Sequence, residues 1–221
     1  MKNKSAFTMI ELVFVIVVLG ILASLAMGRM DRDLKQEASE QILSDIRLTQ
    51  QLALRDNKHM PFDGTASDNI WQRAYWKIDF DLTNDYRYYI AFDIDLNGVI
   101  SKTESAIDST DGKYIYNDLS TDTTMSQKVL LEKKFAINNI IGSTECPIKN
   151  NMISISFDYL GRPYSNIANN ISANFSNIMT SDCNLTFIMS TDEDNNGVDD
   201  QFIITIEAET GHSFIYDQNQ S

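Results

Sequence analysis

The sequence is short of the residues that most catalytic and nucleic-acid-binding sites require. It has only two histidines, and its 18 lysines and arginines face 31 acidic residues, which gives a formal net charge of −13. It has no Gly-rich phosphate loop, no zinc-ligand spacing and no Ser/His/Asp arrangement. Nucleic acid needs cations that neutralise its phosphates, so an acidic surface does not attract it. The sequence therefore predicts a protein that is not an enzyme and does not favour nucleic acid.

Cysteine is equally scarce. The chain has two, Cys146 and Cys183, and both lie in its second half. In an oxidising compartment this number favours a single disulfide between them. The alternative is two separate buried thiols, so the prediction depends on whether the chain leaves the cytoplasm.

The N-terminal region has the long apolar run that the rest of the chain lacks. Phe7–Met30 reads FTMIELVFVIVVLGILASLAMGRM and follows the short cationic leader MKNKSA. As a helix this run reaches about 36 Å, enough to cross a hydrocarbon core of about 30 Å. It contains one acid near its start, Glu11. A carboxylate in lipid costs roughly 2.5–3.5 kcal/mol on insertion scales, so Glu11 needs a partner there.

Three interpretations of this N-terminus compete. A secretory signal would use Lys2 and Lys4 as its cationic end and 24–26 (SLA) as its cleavage site. A plain membrane anchor would be held by the same lysines on the inside and by cations beyond Met30. In the third interpretation, 5–12 (SAFTMIEL) with the apolar helix resembles the cleavage and methylation signal of type IV pilins and pseudopilins.

The pilin resemblance implies specific chemistry at three residues. A prepilin peptidase would cut between Ala6 and Phe7, and the new amine of Phe7 would be methylated. Glu11 would pair with the terminal amine of a neighbouring subunit, which offsets part of its desolvation cost. The family usually has Gly where Ala6 stands, which puts the rate of cleavage in question.

The same resemblance implies a location, partners and a function. The chain would cross the inner membrane once, with its head in the periplasm or on the cell surface. Its partners would be other pilins or pseudopilins through the N-terminal helix, the prepilin peptidase, the inner-membrane assembly platform and the lipid bilayer. It would be a subunit of a type II secretion pseudopilus, in its initiation or tip complex. The alternative is a minor type IV pilin that primes pili for adhesion, motility or DNA uptake. An outside alternative is a secreted calcium-binding adhesin with a conventional signal peptide.

The apolar run continues into an amphipathic helix. No proline occurs before Pro61, and apolar or small residues recur every three or four positions at Leu34, Ala38, Ile42, Ile46, Leu52 and Ala53. We expect one helix over about 7–57, roughly 75 Å long, whose second half packs this stripe on a head. The predicted regions are a leader over 1–6, a transmembrane half over 7–30, an amphipathic half over 31–60 and a head over 61–221.

Beyond Pro61 the sequence alternates in short segments typical of strands. The candidates are Tyr75–Leu82, Tyr86–Phe92, Val129–Ile137, Met152–Phe157, Leu185–Met189, Phe202–Glu207 and Ser213–Tyr216. The predicted fold is α+β, a long N-terminal α-helix packed on an antiparallel β-sheet head. The segments 155–164 (ISFDYLGRPY) and 206–216 (IEAETGHSFIY) resemble the GspH/FimT-like branch of minor pilins, which implies a head of two sheets.

An acidic loop at 93–104 matches the twelve-residue calcium loop D-x-[DN]-x-[DN]-G-x5-E. The candidate ligands are Asp93, Asp95, Asn97, the carbonyl of Val99, Ser101 and Glu104. Gly98 allows the sharp bend that turns alternate side chains inward. No helix pair flanks the loop, so we expect a free-standing structural calcium site. The alternative is a solvated acidic hairpin.

A second loop at 192–200 repeats the opening of this motif. Its candidate calcium ligands are Asp192, Asp194, Asn196, the carbonyl of Val198 and Asp200. Asp200 comes earlier than the closing glutamate of the motif, so the second match is the weaker one. At about millimolar calcium outside a cell, both loops would be filled if their affinities were those of extracellular modules, roughly 10⁻⁴–10⁻³ M.

Overall fold

The computed structural model describes residues 9–59, 70–83, 85–167, 175–192 and 197–216, with the backbone alone described at 25–33. It has an N-terminal helix followed by a head of antiparallel sheets, the predicted α+β class. Helix α1 spans Met9–Arg55 without interruption. This length agrees with the absence of proline before Pro61.

The two halves of α1 differ in what surrounds them. In the first half the side chains of residues 9–24 are exposed. In the second half the predicted stripe is buried, with Ala38, Ile42, Ile46 and Ala53 all inside the main core. The amphipathic prediction is therefore confirmed for the second half, because residues three or four apart share one face of a helix.

The first sheet has four antiparallel strands in the order β2-β1-β4-β5. Its strands are β1 Trp76–Asp81, β2 Arg87–Ala91, β4 Met152–Phe157 and β5 Pro163–Ser165. Ile78 and Phe80 of β1 point into the main core together with Ile153 and Ile155 of β4. This face of the sheet packs on α1.

The second sheet has four antiparallel strands in the order β3-β6-β7-β8. Its strands are β3 Ile137–Gly142, β6 Cys183–Met189, β7 Gln201–Ile206 and β8 Ser213–Ile215. The aromatic rings of Phe80 in the first sheet and Phe187 in the second lie 5.6 Å apart, and both belong to the core that also holds Ile46 of α1. One core thus joins the helix to both sheets.

The prediction of a strand over Val129–Ile137 is wrong for most of that segment. Leu131–Phe135 forms the short helix α2, which ends at Ala136 in the left-handed conformation (φ 54°). Leu131 and Phe135 are both buried, four residues apart on one helix face, so the apolar pattern fitted either period. The strand β3 begins only at Ile137, and β5 was not predicted from the sequence.

Polar contacts fix α1 on the hairpins of both sheets. The Gln50 side-chain amide donates to the carbonyl of Gly161 at 3.0 Å and to that of Thr210 at 2.8 Å. Arg47 donates to the carbonyl of Ser213 at 2.7 Å. Gly161 lies in the β4–β5 turn and Thr210 in the β7–β8 turn, so one glutamine of α1 holds a turn of each sheet.

Candidate functional site

The first acidic loop leaves the end of β2 and returns beside it. Phe92 N donates to the carbonyl of Glu104 at 3.2 Å, and Ala106 N donates to that of Ile90 at 2.7 Å. These bonds close the two ends of the loop onto the sheet. The loop is therefore held by the fold at its base, with a short 3₁₀ turn at Lys102–Glu104 on its returning side.

Within the loop, the Asp93 carboxylate organises the bend. It accepts a hydrogen bond from Gly98 N at 2.7 Å and one from Asn97 N at 3.1 Å. Gly98 has φ 82°, a conformation that favours glycine, as the motif predicts. The tip is held from outside by Arg73, whose guanidinium donates to the carbonyl of Leu96 at 3.1 Å.

Three of the predicted ligands converge. Asp93, Asp95 and Glu104 each offer a carboxylate oxygen, and these oxygens all lie within 4.8 Å of one another. Asp93 is fully buried and Glu104 is 4% exposed, whereas Asp95 is open to solvent. Glu104 is oriented by hydrogen bonds from Ile94 N at 3.1 Å and from Ser101 N at 2.8 Å. Hard oxygen donors at this spacing suit a calcium ion.

The other predicted ligands of this loop serve its hydrogen-bond network. Asn97 donates to Asp95 at 2.7 Å and accepts from Val99 N at 2.6 Å. The Ser101 hydroxyl donates to Glu104 at 2.7 Å. These residues lie beside the three carboxylates, and the side-chain oxygen of Asn97, which accepts from Val99 N, keeps a second lone pair that could face an ion.

The charge of the site is unfavourable without a cation. Burial raises the pKa of Asp93. The backbone hydrogen bonds that its carboxylate accepts and the positive charge of Lys77 oppose that effect only in part. Carboxylates that share one small space repel one another until a positive charge arrives. The donor set therefore fits a divalent cation, which Asp93, Asp95 and Glu104 would hold.

The second acidic loop, between β6 and β7, contains the same bend. Gly197 N donates to Asp192 at 2.8 Å, and Gly197 has φ 80°. The base of this loop is closed by Met189 N donating to the carbonyl of Asp200 at 2.8 Å. Val198 is exposed, whereas Asp194 and Asn196 lie outside the described residues. The shared bend supports a common loop design, and the second ligand set stays a prediction.

The two cysteines form the predicted disulfide. Cys146 and Cys183 are bonded, with their Cα atoms 5.6 Å apart, and both are buried in the main core. The bond ties the turn after β3 to the first residue of β6. Closing a loop of 37 residues stabilises a fold by about 4 kcal/mol in the chain-entropy account.

At the N-terminus the structure places only part of the predicted assembly site. Glu11 lies in the first turn of α1 and is exposed, whereas Ala6 and Phe7 lie outside the described residues. Large apolar side chains surround it on the same surface, including Ile10 at 78% exposed and Phe14 at 70%. Across the residues that the structure describes, no helix combines the length and apolar character that crossing a membrane requires.

Sequence reasoning missed a buried ion pair behind the first loop. Lys77 and Asp79 of β1 are each 1% exposed, with the ammonium 3.8 Å from a carboxylate oxygen. Alternation along β1 was visible in the sequence, but it suggests that these two side chains face solvent. Nothing in the local pattern signals that other segments cover this face of the sheet.

Comparison with known proteins identifies the N-terminal signal. Residues 1–27 match the family described as the prokaryotic N-terminal methylation motif, the signal of type IV pilins and pseudopilins. No curated protein and no solved structure matches the chain. The signal in general implies processing by a prepilin peptidase and assembly with other pilins.

Proposed function

We propose that this chain, which carries the type IV pilin and pseudopilin signal, is a non-enzymatic subunit of a type II secretion pseudopilus and acts in its initiation or tip complex. The observation that carries the proposal is the combination of that signal with the two halves of α1. The first half presents an exposed apolar surface, while the second half is buried against the head. A helix of this kind can pack its first half with other helices while displaying its head. The turn at 158–162 and the hairpin turn near Gly211 support the GspH/FimT-like branch.

Assembly would depend on Glu11. After cleavage before Phe7, the new terminal amine of one subunit would pair with the Glu11 carboxylate of its neighbour. An ion pair offsets part of the cost of placing a carboxylate in lipid or in a helix bundle. Before assembly the subunit would reside in the inner membrane, anchored through its apolar helix, with the head in the periplasm. The disulfide supports that location, because such bonds persist in oxidising compartments.

Calcium would serve the head as a structural cofactor. The convergence of Asp93, Asp95 and Glu104 supports a site in the first loop, and the matching bend at Gly197 supports a second. A cation in the first loop would relieve the repulsion among three carboxylates and so stabilise the folded head.

The intact mass and N-terminal peptide of the protein from its native membrane test this proposal. We expect a mature chain that begins at Phe7 and carries a methylated amine. A start near Met27 would instead make the apolar run a discarded signal and the protein a secreted calcium binder. An uncleaved Met1 would also contradict the proposal, because it would make the helix an anchor only.

A further inference from the structure

The outer face of the first sheet, opposite the main core, carries a buried polar cluster. Along β1, Ile78 and Phe80 point into the core, so Lys77 and Asp79 point to the other face. Ser156 lies opposite Lys77 on β4, and Ser154 lies opposite Asp79. All four side chains are buried, with at most 2% exposed. We call these four residues the outer-face cluster.

The polar atoms of the outer-face cluster are not all hydrogen-bonded to one another. The Lys77 ammonium is 3.8 Å from Asp79, which is an ion pair but too long for a hydrogen bond. Lys77 Nζ, Asp79 Oδ1 and the Ser156 hydroxyl make no hydrogen bond with the part of the chain that the structure describes. A buried ammonium without hydrogen bonds is costly, since Coulombic attraction to one carboxylate seldom repays its desolvation. The Lys77–Asp79 pair alone therefore does not account for a lysine at this position.

The position of Lys77 also faces the first acidic loop. Lys77 is the cross-strand partner of Ala91 on β2, and Asp93 lies two residues beyond Ala91, on the same side of the chain. Phe92, between them, packs on the core side against Trp76. Asp93 is fully buried, so its carboxylate and the Lys77 ammonium interact with little screening.

With their carboxylates ionised, the buried charged groups around the first loop carry a net charge that one divalent cation would balance. Lys77 contributes +1, and Asp79, Asp93 and Glu104 contribute −1 each when ionised, a sum of −2. A calcium ion held by the loop would bring that sum to zero. Without the ion, Lys77 is the only positive charge among these buried groups.

We propose that Lys77 is an internal counter-ion to the first acidic loop, one that stabilises the metal-free head and lowers its affinity for calcium. The inference rests on the calcium binding proposed above. Lys77 does not contact the ion but sets the electrostatic potential that the ion meets. It thereby keeps the loop folded when calcium is low and weakens a site whose carboxylates alone would bind more tightly.

The test measures calcium affinity by calorimetric titration of the full-length protein in detergent, with melting in chelator and in calcium. In Lys77→Met we expect calcium to bind on the order of tenfold more tightly, since one positive charge near the ion is gone. We expect Lys77→Met to lower the melting temperature in chelator more than in calcium. Asp79→Asn should act in the opposite direction, with calcium bound severalfold more weakly. Lys133→Met, at an exposed position on α2, is the matched control for losing one lysine.

The possible results distinguish a counter-ion role of Lys77 from a packing role and from the absence of calcium binding. Calcium affinities of Lys77→Met and Asp79→Asn within about twofold of the Lys133→Met control would overturn the inference while leaving calcium binding intact. An equal loss of melting temperature for Lys77→Met in chelator and in calcium would show a role in packing alone. If Lys77→Met does not fold, the sign of the change in Asp79→Asn decides by itself. An unaltered protein that binds no calcium would refute the proposed cofactor instead.

Discussion

Glu104 closes the first acidic loop, and it does so with both carboxylate oxygens. One oxygen accepts from Ile94 N, and the other accepts from Ser101 N and from the Ser101 hydroxyl. The residue is nearly buried, so these bonds fix its orientation toward Asp93 and Asp95. The last residue of the loop motif thus both shapes the loop and completes the candidate ligand set.

We expect Glu104→Gln to remove the part of calcium-dependent stabilisation that belongs to the first loop. At calcium concentrations of 10 to 100 times Kd, one site adds about 1.4–2.7 kcal/mol to the free energy of unfolding. For a chain of this size that corresponds to a melting shift of roughly 3–10 °C. The measurement is the melting temperature of the full-length protein in detergent with chelator and with calcium. Glu209→Gln, at an exposed turn, is the control, and an equal calcium shift in both variants would exclude the first loop as a site.

Asp158 organises the turn in the segment 157–163 (FDYLGRP). Its carboxylate accepts from Leu160 N and Arg162 N at 2.9 Å each, and from the Arg162 side chain at 2.8 Å. Phe157 before it lies in the core, and Gly161 within it adopts φ 81° beside Gln50. A buried aspartate that accepts hydrogen bonds from two backbone amides and an arginine stabilises this turn. Gln50 of α1 contacts the turn at Gly161.

At the scale of elements, the junction of α1 with the two hairpin turns depends on a close approach at Gly211. A Cβ at this position would lie 2.3 Å from the carbonyl oxygen of Gly161 and 2.6 Å from the Gln50 amide, and the backbone has φ 67°. Only a residue without a side chain allows the second hairpin to reach the first. The β7–β8 turn, the β4–β5 turn and α1 therefore meet at one point.

We expect Gly211→Ala to lower the free energy of unfolding by about 2–4 kcal/mol, the sum of a positive-φ penalty and a steric displacement. Gly112→Ala is the matched control, because Gly112 has φ 70° but nothing within 4 Å of its ideal Cβ. The control should lose only about 1–2 kcal/mol. Denaturant unfolding of the full-length protein in detergent measures the free energy of unfolding of both variants. Equal losses would show that the close approach at Gly211 does not contribute to stability.

At the scale of the whole molecule, α1 is one continuous helix with two environments. Its second half shares a core with both sheets, while the side chains of residues 9–24 remain exposed and are apolar except at Glu11 and Ser24. Exposed apolar surface of this extent marks a site of contact with lipid or with other helices. The proposed function places that contact in the membrane and then in the fibre.

We expect Glu11→Ala to leave the protein in the membrane and to block its incorporation into fibres. Removing one partner of a buried ion pair costs about 3–5 kcal/mol, so incorporation should fall by well over tenfold. The measurement is the amount of protein in sheared fibres from a deletion strain that carries either variant, together with secretion and piliation of that strain. Glu40→Ala, an exposed acid on the same helix, is the control.

Normal fibre incorporation of Glu11→Ala would contradict the assembly role of this residue. The deletion strain itself separates the two machines. Loss of secretion with normal pili supports the pseudopilus, whereas loss of pili with normal secretion supports the minor pilin alternative.

The sequence by itself determined the features that depend on short-range pattern. The absence of proline from the first 60 residues and the stripe of period 3.6 over Leu34–Ala53 specified α1, and period-two alternation specified most strands. The loop motif specified the bend at Gly98 and the three carboxylates that converge, since their spacing is set within twelve residues. The N-terminal signal was equally local, and its match over 1–27 confirms it.

The tertiary structure decided what depends on contacts between distant segments. The segment Leu131–Phe135 became a helix although its apolar pattern also fitted a strand. Lys77 and Asp79 became buried because other segments cover the outer face of the first sheet. The meeting of Gln50 with Gly161 and Thr210 joins residues more than 100 positions apart. Burial and long-range pairing are properties of the assembled layers, and no window of sequence contains them.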